Sequence, residues 1–475
     1  MTPCTRLPAA ALFLALGWPV WGQEGTPAKE TAPAAPAKAG EPAKAEGPAK
    51  PDRSKAAEKP ANAHAAFFKD ASIPIRTIDP TDEDFSDLTP LIEKIGSARV
   101  VLLGEQSHGD GSCFQGKSRL IRFLHQKMGF DVLAFESGMF DMRWVDDGMR
   151  NAAPMTEVHK RGLFGIWALS AQCQDLLKYA LETNGTESPL EFAGFDSQFS
   201  SGMAREEFPR VFNLFITKAG DGVLDKGQES APQQLSEWIA RQEGGAKQDM
   251  PKELLALAVS MIKKIDEKKD VLLRVHSPRD VAFMKRALRN QMAYARQLAY
   301  FAADDTDRGG ATRDTAMGEN LAWLVTDYYS GRKVIVWAAS MHNMYNAPQA
   351  QLVGGAFSYK DTITMGHVAH GVIGEMMYSI MFIADHGRAG MPWSAPGPIG
   401  AAPKDSIDAL MHQTGLPLAF LDLKTAAATE GGAWLREKQV ARPLGYAPCE
   451  AIWPDQCDAF FFTDEMKPST MRKEP

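Results

Sequence analysis

The chain has 475 residues, of which 44% are hydrophobic and 23% are charged, and its formal net charge is −7. This is the composition of a globular protein with enough apolar mass for one large core or two smaller ones. Charges of both signs are spread along the chain without a basic stripe, so the sequence argues against a nucleic-acid partner.

The N-terminus has the pattern of a secretory signal peptide over residues 1–22. A short, positively charged start through Arg6 precedes an apolar run, Leu7–Trp21, and a junction at Gly22. The run is short and contains proline, which favours a cleaved signal over the alternative of an uncleaved membrane anchor. We therefore expect a periplasmic or secreted protein that keeps no stable membrane span after cleavage.

Residues 23–62 form a low-complexity segment of mostly Ala, Pro, Lys, Glu and Gly, with no aromatic and no large aliphatic side chain. Such a segment cannot bury enough apolar surface to offset its loss of chain entropy, so we predict a disordered tether. The tether either contacts the cell envelope or acts as a simple spacer. The remainder, 63–475, is interpreted as one α/β domain.

The first part of this domain has the pattern of a βαβ unit. The β-rich run Arg99–Leu103 is followed by a helical pattern over Lys117–Met128 and by a second β-rich run, Asp131–Phe135. Strands connected in this way are normally parallel. Further strands are predicted at Leu190–Phe195, Lys333–Ala338, Tyr378–Ile383 and Leu418–Leu423. The predicted fold class is α/β, with a mostly parallel central sheet flanked by helices.

A large helical insertion is predicted over about residues 205–304, where amphipathic patterns recur, notably at Pro251–Lys269 and Ala282–Ala302. The insertion either covers the functional site as a cap or is ordinary structural helix. Another helix, Arg313–Tyr329, leads into the Lys333 strand.

Cleavage of the signal peptide would remove Cys4 and leave four cysteines in an oxidising compartment. Cys449 and Cys457 flank a short loop and are the expected disulfide pair. Cys113 and Cys173 form either a second pair or two buried thiols.

Acidic and imidazole groups occur at the ends of four predicted strands. Glu105 and His108 follow the first strand, Glu136 ends the second, Asp196 ends the third and His342 follows the fourth. Because binding crevices in α/β sheets form outside the carboxyl ends of parallel strands, we expect these groups to converge.

The types and spacing of these residues indicate acid–base chemistry. Glu105, three residues before His108, could orient the imidazole and raise its basicity, so that His108 takes a proton from water. Glu136 is either part of the site or in a structural ion pair, for example with Lys117 or Arg119. His342 is either a site residue or a core histidine with satisfied hydrogen bonds.

Other chemistries are less well supported. The chain has neither a Gly-x-Ser-x-Gly elbow nor a His-Glu-x-x-His helix, which argues against a common serine hydrolase and a zincin. Glu105, His108, Glu136 and His342 would suit a divalent metal by ligand type, but their spacing is not a zinc signature. We predict no cofactor and keep a metal as the alternative.

Several segments, in order, resemble the erythromycin esterase family, over a region from about Ile78 to Phe462. The segments are Leu102–Gly109 (Leu-Leu-Gly-Glu-Gln-Ser-His-Gly), Lys117–Leu124, Gly129–Glu136, Gly194–Asp196, Arg313–Asn320, Trp337–Ala338 with His342, and Met365–Gly366 leading to Gly387. The resemblance implies an α/β core with helical additions and hydrolysis of a macrolide lactone ester by activated water, without a covalent serine.

Carried over to this chain, the resemblance makes His108 the general base and gives Glu105 and Glu136 the task of orienting it or the water. His342 would hold or polarise the ester. Lys117, Arg119 and Asp196 are predicted to bind substrate, and Arg313 with Asp314 matches a motif interpreted as structural.

The chain departs from the family pattern after the late strand, where Ala339 and Ser340 replace a histidine and an asparagine, and at Ser112, where glutamate is common.

The sequence leaves three hypotheses about function. The first is an exported hydrolase of a small-molecule carboxylic ester or lactone. The second is a degenerate, non-catalytic binding protein of the envelope. The third is a metal-dependent hydrolase.

Overall fold

The computed structural model describes residues 62–151, 161–220, 222–355 and 359–473. The segments interpreted as signal peptide (1–22) and tether (23–62) lie outside the described residues, apart from Asn62, which caps the first helix. Among the described helices, none combines the length and the hydropathy that a bilayer crossing requires.

The centre of the fold is a nine-stranded sheet, and a small three-stranded antiparallel sheet accompanies it. The described strands are β1 (Ile73–Pro74), β2 (Val100–Glu105), β3 (Val132–Gly138), β4 (Glu191–Asp196), β5 (Val334–Ala339), β6 (Gln351–Leu352), β7 (Met377–Ala389), β8 (Gly397–Ile399), β9 (Leu418–Asp422), β10 (Gln439–Leu444), β11 (Ala447–Ala451) and β12 (Ala459–Met466). The main sheet has the order β1-β9-β12-β7-β2-β5-β3-β4, with β8 on β7, and the small sheet is β10-β11-β6. The six strands from β12 to β4 are parallel, whereas β1, β8 and β9 pair antiparallel. The predicted mostly parallel sheet is confirmed.

Helices pack on both faces of this sheet. The described helices are α1 (Ala63–Ala71), α2 (Leu91–Ile95), α3 (Gly111–Met128), α4 (Met139–Arg150), α5 (Gly165–Ala168), α6 (Gln174–Thr183), α7 (Gly202–Lys218), α8 (Ala231–Glu243), α9 (Lys252–Glu267), α10 (Lys269–Leu272), α11 (Pro278–Ala302), α12 (Thr306–Trp323), α13 (Ser340–Asn343), α14 (Met365–Ile373), α15 (Ile407–Gln413) and α16 (Leu423–Ala428). A π-helical turn, Leu324–Tyr328, continues α12.

The apolar runs of the central strands are continuous because both faces of the sheet are covered. In β2, Val101 and Leu103 pack into the cluster that contains α3, and Val100 and Leu102 pack into the cluster that contains α12 and α14. We call these the α3 face and the α12 face. Since side chains alternate along a strand, each residue at the strand end is directed to one face or the other.

The strand order differs from the simplest interpretation of the βαβ pattern. β2 and β3 are parallel, as predicted, but they are not neighbours, because β5 lies between them and pairs with both. β4 follows on the far side of β3. The carboxyl ends of β2, β5, β3 and β4 therefore stand side by side, with Glu105, Ala339, Glu136 and Asp196 close to one edge of the sheet.

The helices α7–α11 occupy most of the stretch predicted to be helical and share an apolar cluster with α4. Phe208, Trp238 and Leu288 are buried in this cluster. The side-chain amide of Asn290 on α11 donates to the carbonyls of Asp196 (3.1 Å) and Ser197 (3.3 Å), at the end of β4. The helical segment is thus attached to the same sheet edge as the predicted site.

The cysteines differ from the sequence expectation. Cys113, Cys173, Cys449 and Cys457 are all free and buried, so the described residues contain neither the expected Cys449–Cys457 disulfide nor a second pair. Cys449 and Cys457 are completely buried in one apolar cluster, together with Trp453. Their burial is that of small hydrophobic side chains, the alternative that the sequence had left open for Cys113 and Cys173.

Candidate active site

Glu105 and His108 form the first part of the site, on the α3 face. Oε1 of Glu105 accepts hydrogen bonds from Nδ1 of His108 (2.8 Å) and from the indole nitrogen of Trp167 (3.2 Å). Oε2 of Glu105 is in contact with Nζ of Lys117, which also donates to the carbonyl of Ala338 (3.2 Å). Both carboxylate oxygens are thus held by fixed donors, and the imidazole is oriented by the carboxylate.

His108 is the accessible member of this group. Its side chain is 25% exposed, whereas the side chains of Glu105 and Lys117 are fully buried. Burial alone would lower the pKa of His108, but the hydrogen bond that its ring donates to Glu105 and the charges of Glu105 and Glu136 outweigh burial and raise that pKa. With Nδ1–H donated to Glu105, the lone pair of the neutral ring is on Nε2, where it can accept a proton.

The glycines around His108 allow close packing between protein segments. A Cβ on Gly104 would lie 2.8 Å from Oγ of Ser340, and a Cβ on Gly109 would lie 2.6 Å from the backbone nitrogen of Gly390. Neither glycine has a positive φ. The absence of a side chain at these two glycines allows α13 and the segment after β7 to approach the loop closely.

The second part of the site is centred on Glu136, which lies in a bulge of β3. Two residues, Glu136 and Ser137, oppose the single residue Phe195 between the flanking pairs of the β3–β4 register. Oε2 of Glu136 accepts the backbone N–H of Ala339 (2.8 Å), and Oε1 accepts Nη2 of Arg313 (2.9 Å). Glu136 thereby connects the end of β3 to the end of β5 and to α12.

Arg313 and His342 surround the carboxylate of Glu136 on the α12 face. Arg313 also binds Asp196, with Nε on Oδ1 (3.1 Å) and Nη2 on Oδ2 (2.6 Å). Nε2 of His342 lies 3.2 Å from Oε1 of Glu136, and its Nδ1 lies 2.7 Å from Oδ1 of Asp314. Oδ1 of Asp314 in turn accepts the first backbone N–H of α14 (2.9 Å).

The charges of this second group depend on one another. Burial would lower the pKa of His342, but Asp314 and Glu136 outweigh it and raise that pKa to about 10. Burial would raise the pKa of Glu136, but His342 and Arg313 outweigh it and hold that pKa well below its usual range. The cations Arg313 and His342 and the carboxylate of Glu136 therefore stabilise one another in their charged forms.

The two groups come from opposite faces of the sheet. Glu105 continues the row of Val101 and Leu103, whereas Glu136 continues the row of Val132 and Ala134 on the α12 face. Each buried glutamate has a cation from the helix on its own face, Lys117 or Arg313. Since Glu136 raises the pKa of His108 and His342 lowers it, the two groups are electrostatically coupled across the sheet edge.

The structure brings six of the seven predicted site residues to this edge: Glu105, His108, Lys117, Glu136, Asp196 and His342. Arg119 lies elsewhere, with its guanidinium paired to both oxygens of Asp87 (2.9 and 2.7 Å).

That Lys117, Arg119 and Asp196 bind substrate stays a prediction. Their side chains are 0%, 2% and 0% exposed, and their charged groups are bound to other protein groups. In the structure, Lys117 contacts Glu105, Asp196 pairs with Arg313, and Arg119 pairs with Asp87. The structural partner suggested for Glu136, Lys117 or Arg119, is in fact Arg313.

Three residues of the site were missed or undervalued from sequence. Arg313 and Asp314 were interpreted as structural, although two adjacent charged residues within a buried helical segment could have indicated the network. Trp167 carried no signal in the sequence, because a buried tryptophan is usually a core residue.

A divalent metal would compete with cations that the protein already supplies. Lys117 and Arg313 occupy the inner sides of Glu105 and Glu136, and both nitrogens of His342 face charged groups. The charged side chains at this sheet edge therefore form an ion-pair network. In His108, Nδ1 is bonded to Glu105, and Nε2 is the ring nitrogen that could contact a ligand.

Comparison with known proteins finds relatives that cover most of the chain. "Putative hydrolase YbfO" of Bacillus subtilis (strain 168) is 24% identical over 429 residues, which are 83% of this chain and 90% of that protein. A crystal structure of a Bacillus cereus protein superimposes with a TM-score of 0.73 at 20% identity, covering 87% of this chain and all of that one. A mutant of erythromycin esterase EreC in its open conformation gives a TM-score of 0.63 at 14% identity, covering 85% of this chain and all of that one. At these identities the two structures show a shared fold.

The family described as Erythromycin esterase matches residues 125–466. This match includes Glu136, Asp196, Arg313 and His342, and it spans most of the chain. The protein belongs to the erythromycin esterase family.

Proposed function

We propose that the protein is an exported hydrolase that cleaves a small-molecule carboxylic ester or lactone with water activated by His108. The observation that carries the proposal is the bond between Nδ1 of His108 and the buried carboxylate of Glu105, which leaves Nε2 of a partly exposed ring available to water. Family membership and the hydrolase-like relative support a hydrolytic reaction at this edge of the sheet.

In the proposed reaction, Nε2 of His108 takes a proton from water while the water oxygen forms a bond to the carbonyl carbon. The π electrons of the carbonyl move to its oxygen, giving a tetrahedral anion. When this anion collapses, the C–O bond to the alcohol breaks, and the departing alkoxide receives the proton from His108. The products are a carboxylic acid and an alcohol, or one hydroxy acid from a lactone.

The remaining residues prepare this step. Lys117 and Trp167 hold Glu105, and Glu105 fixes the ring orientation of His108 and stabilises its protonated form. Glu136 adds a second negative charge that favours proton uptake by His108. Its Oε2 accepts one backbone N–H and keeps further acceptor capacity for the water.

The test is a hydrolysis screen of aryl esters, aliphatic lactones and macrolide lactones, run with the wild type, His108→Gln and His370→Gln. His370 is a half-buried histidine on α14, outside the site, and serves as the matched control. We expect turnover of at least one substrate, a loss of about 10²–10⁴-fold in His108→Gln, and near wild-type turnover in the control. Full turnover by His108→Gln would refute the role of His108.

The alternative is a non-catalytic family member that binds a ligand at the cell envelope. It is favoured by Ala339, which donates its backbone N–H to Glu136 but has a methyl group where the family pattern has an imidazole. Saturable binding of a lactone by the wild type, with no turnover across the whole screen, would favour this alternative.

Export is supported by the charged start, the apolar run Leu7–Trp21 and the low-complexity segment after it. Fractionation of cells that express the full chain, compared with a form lacking residues 2–22, tests it. We expect the full chain outside the cytoplasm and the shortened form inside it. The same location for both forms would contradict export.

A further inference from the structure

A second group of imidazole and carboxylate side chains lies at the carboxyl ends of β7 and β12. Asp385 and His386 are consecutive residues of β7, Asp464 belongs to β12, and His412 belongs to α15. The parallel register of β7 and β12 brings Asp385 opposite Asp464. None of these elements carries a residue of the candidate active site.

The four side chains are close enough to share one ligand. One potential ligand atom from each residue lies within 4.8 Å of all the others. Nδ1 of His412 is 2.6 Å from Oδ1 of Asp464 and 3.9 Å from Oδ2 of Asp385, and Nδ1 of His386 is 3.1 Å from the same Oδ2. The four side chains thus already place their potential ligand atoms close to one another.

The group contains two carboxylates and two imidazoles. Asp385 is buried, with its side chain 7% exposed, and it faces the second carboxylate of Asp464. Over the part of the chain that the structure describes, neither carboxylate forms an ion pair with lysine or arginine; the partners are His386 and His412. Glu105 and Glu136, by contrast, each have a buried cation. A bound dication would neutralise the two aspartates at Asp385 and Asp464.

We propose that Asp385, His386, His412 and Asp464 form a Zn²⁺ site. Two imidazoles and two carboxylates are a suitable tetrahedral donor set for this ion. With bonds of roughly 2.0–2.1 Å, the ligand atoms would be separated by about 3.3 Å, so the group must contract slightly. His386 and His412, whose side chains are 40% and 51% exposed, have the freedom to do so, while the strands hold the aspartates.

The proposed site is structural, because four protein ligands leave no open position for substrate. It would join α15 to β7 and β12. The segments that follow these two strands both hold the loop of His108, since the carbonyl of Gly109 accepts N–H groups from Gly390 (3.1 Å) and Ser469 (2.8 Å). The ion would therefore stabilise the packing of α15, β7 and β12, which support this loop, without taking part in hydrolysis.

The test is titration of the chelator-treated, tag-free protein with ZnCl₂ by calorimetry, together with the visible spectrum of the Co²⁺ form. We expect one Zn²⁺ per chain, a higher melting temperature with Zn²⁺, and the strong visible absorption of tetrahedral Co²⁺. The variant His386→Gln/His412→Gln should lose more than about 100-fold in affinity, beyond the usual effect of an outer-sphere change. Absence of saturable binding by the wild type would overturn the proposal.

Two further variants separate this site from the candidate active site. Asp464→Asn removes a ligand from a partly exposed position and should also weaken Zn²⁺ binding, and its circular dichroism checks that the fold is retained. His108→Gln should leave Zn²⁺ binding unchanged. If His108→Gln abolishes binding while the double variant retains it, the ion belongs to the other cluster and the proposed site is wrong.

Discussion

Nδ1 of His108 lies 2.8 Å from a carboxylate oxygen of Glu105, and the two residues differ sharply in exposure, with side chains 25% and 0% exposed. The carboxylate is sealed from water and the ring is not. A buried charge next to an accessible imidazole fixes the orientation of the ring and raises its pKa. Under the proposed mechanism, this pair sets the pH dependence of activity.

The first prediction concerns the pH profile of kcat/KM. The base must be neutral to accept a proton, so kcat/KM should rise with pH through the His108 pKa, which is raised above 6.5. Glu105→Gln removes the charge that raises this pKa, so the rising limb should move to lower pH while the maximal rate falls. Rate measurements across the pH range on both proteins, with melting curves to verify folding, check this. An unmoved limb would show that Glu105 does not set the basicity.

The second prediction concerns stability at alkaline pH. The folded-state pKa of His342 is raised from 6.5 to about 10, so its stabilising charge is fully present below 6.5 and is lost as the pH rises towards 10. The free energy of unfolding of the wild type should therefore fall with pH in this window more steeply than that of His342→Gln. Urea denaturation at several pH values gives both slopes, and parallel slopes would contradict a charged His342.

A third prediction separates structure from binding at Arg119. Arg119→Met leaves the carboxylate of Asp87, which is 8% exposed, without its buried partner, and this should cost about 3–5 kcal/mol of unfolding free energy. The values of kcat and KM of the folded fraction should remain close to those of the wild type. An increase in KM at unchanged stability would instead support Arg119 as a substrate-binding residue.

A fourth prediction concerns the cysteines. Since the four described cysteines are free and buried, a reducing agent should leave the melting temperature unchanged. Thiol titration should detect these four groups only after denaturation. In a protein that keeps its N-terminal segment, Cys4 adds a fifth thiol to the total. A lower melting temperature under reducing conditions would reveal a disulfide.

The fold and most of the site could be predicted because they depend on local patterns. Each predicted strand corresponds to an observed one, since the predicted runs are short and rich in apolar residues, as buried strands are. Convergence of Glu105, Glu136, Asp196 and His342 followed from the rule that parallel strands share a carboxyl edge.

The rest depended on packing between distant segments. Lys117 contacts Glu105 of β2, whereas Arg119, two residues later on the same helix, pairs with Asp87. The local sequence does not distinguish these two environments, because α3 is buried on several sides. The partner of Glu136 came from α12, 177 residues further along the chain. The position of β5 between β2 and β3 was likewise invisible in the βαβ pattern.

The position of β5 between β2 and β3 has a consequence for folding during synthesis. On a ribosome, β2 and β3 emerge long before residue 334, and each has an open edge until β5 arrives to fill the gap. The loop of His108 is completed later still, when the backbone N–H of Ser469 donates a hydrogen bond to the carbonyl of Gly109. A nascent chain therefore carries an incomplete site until residue 469 has been synthesised, and shorter products should be inactive and prone to aggregate.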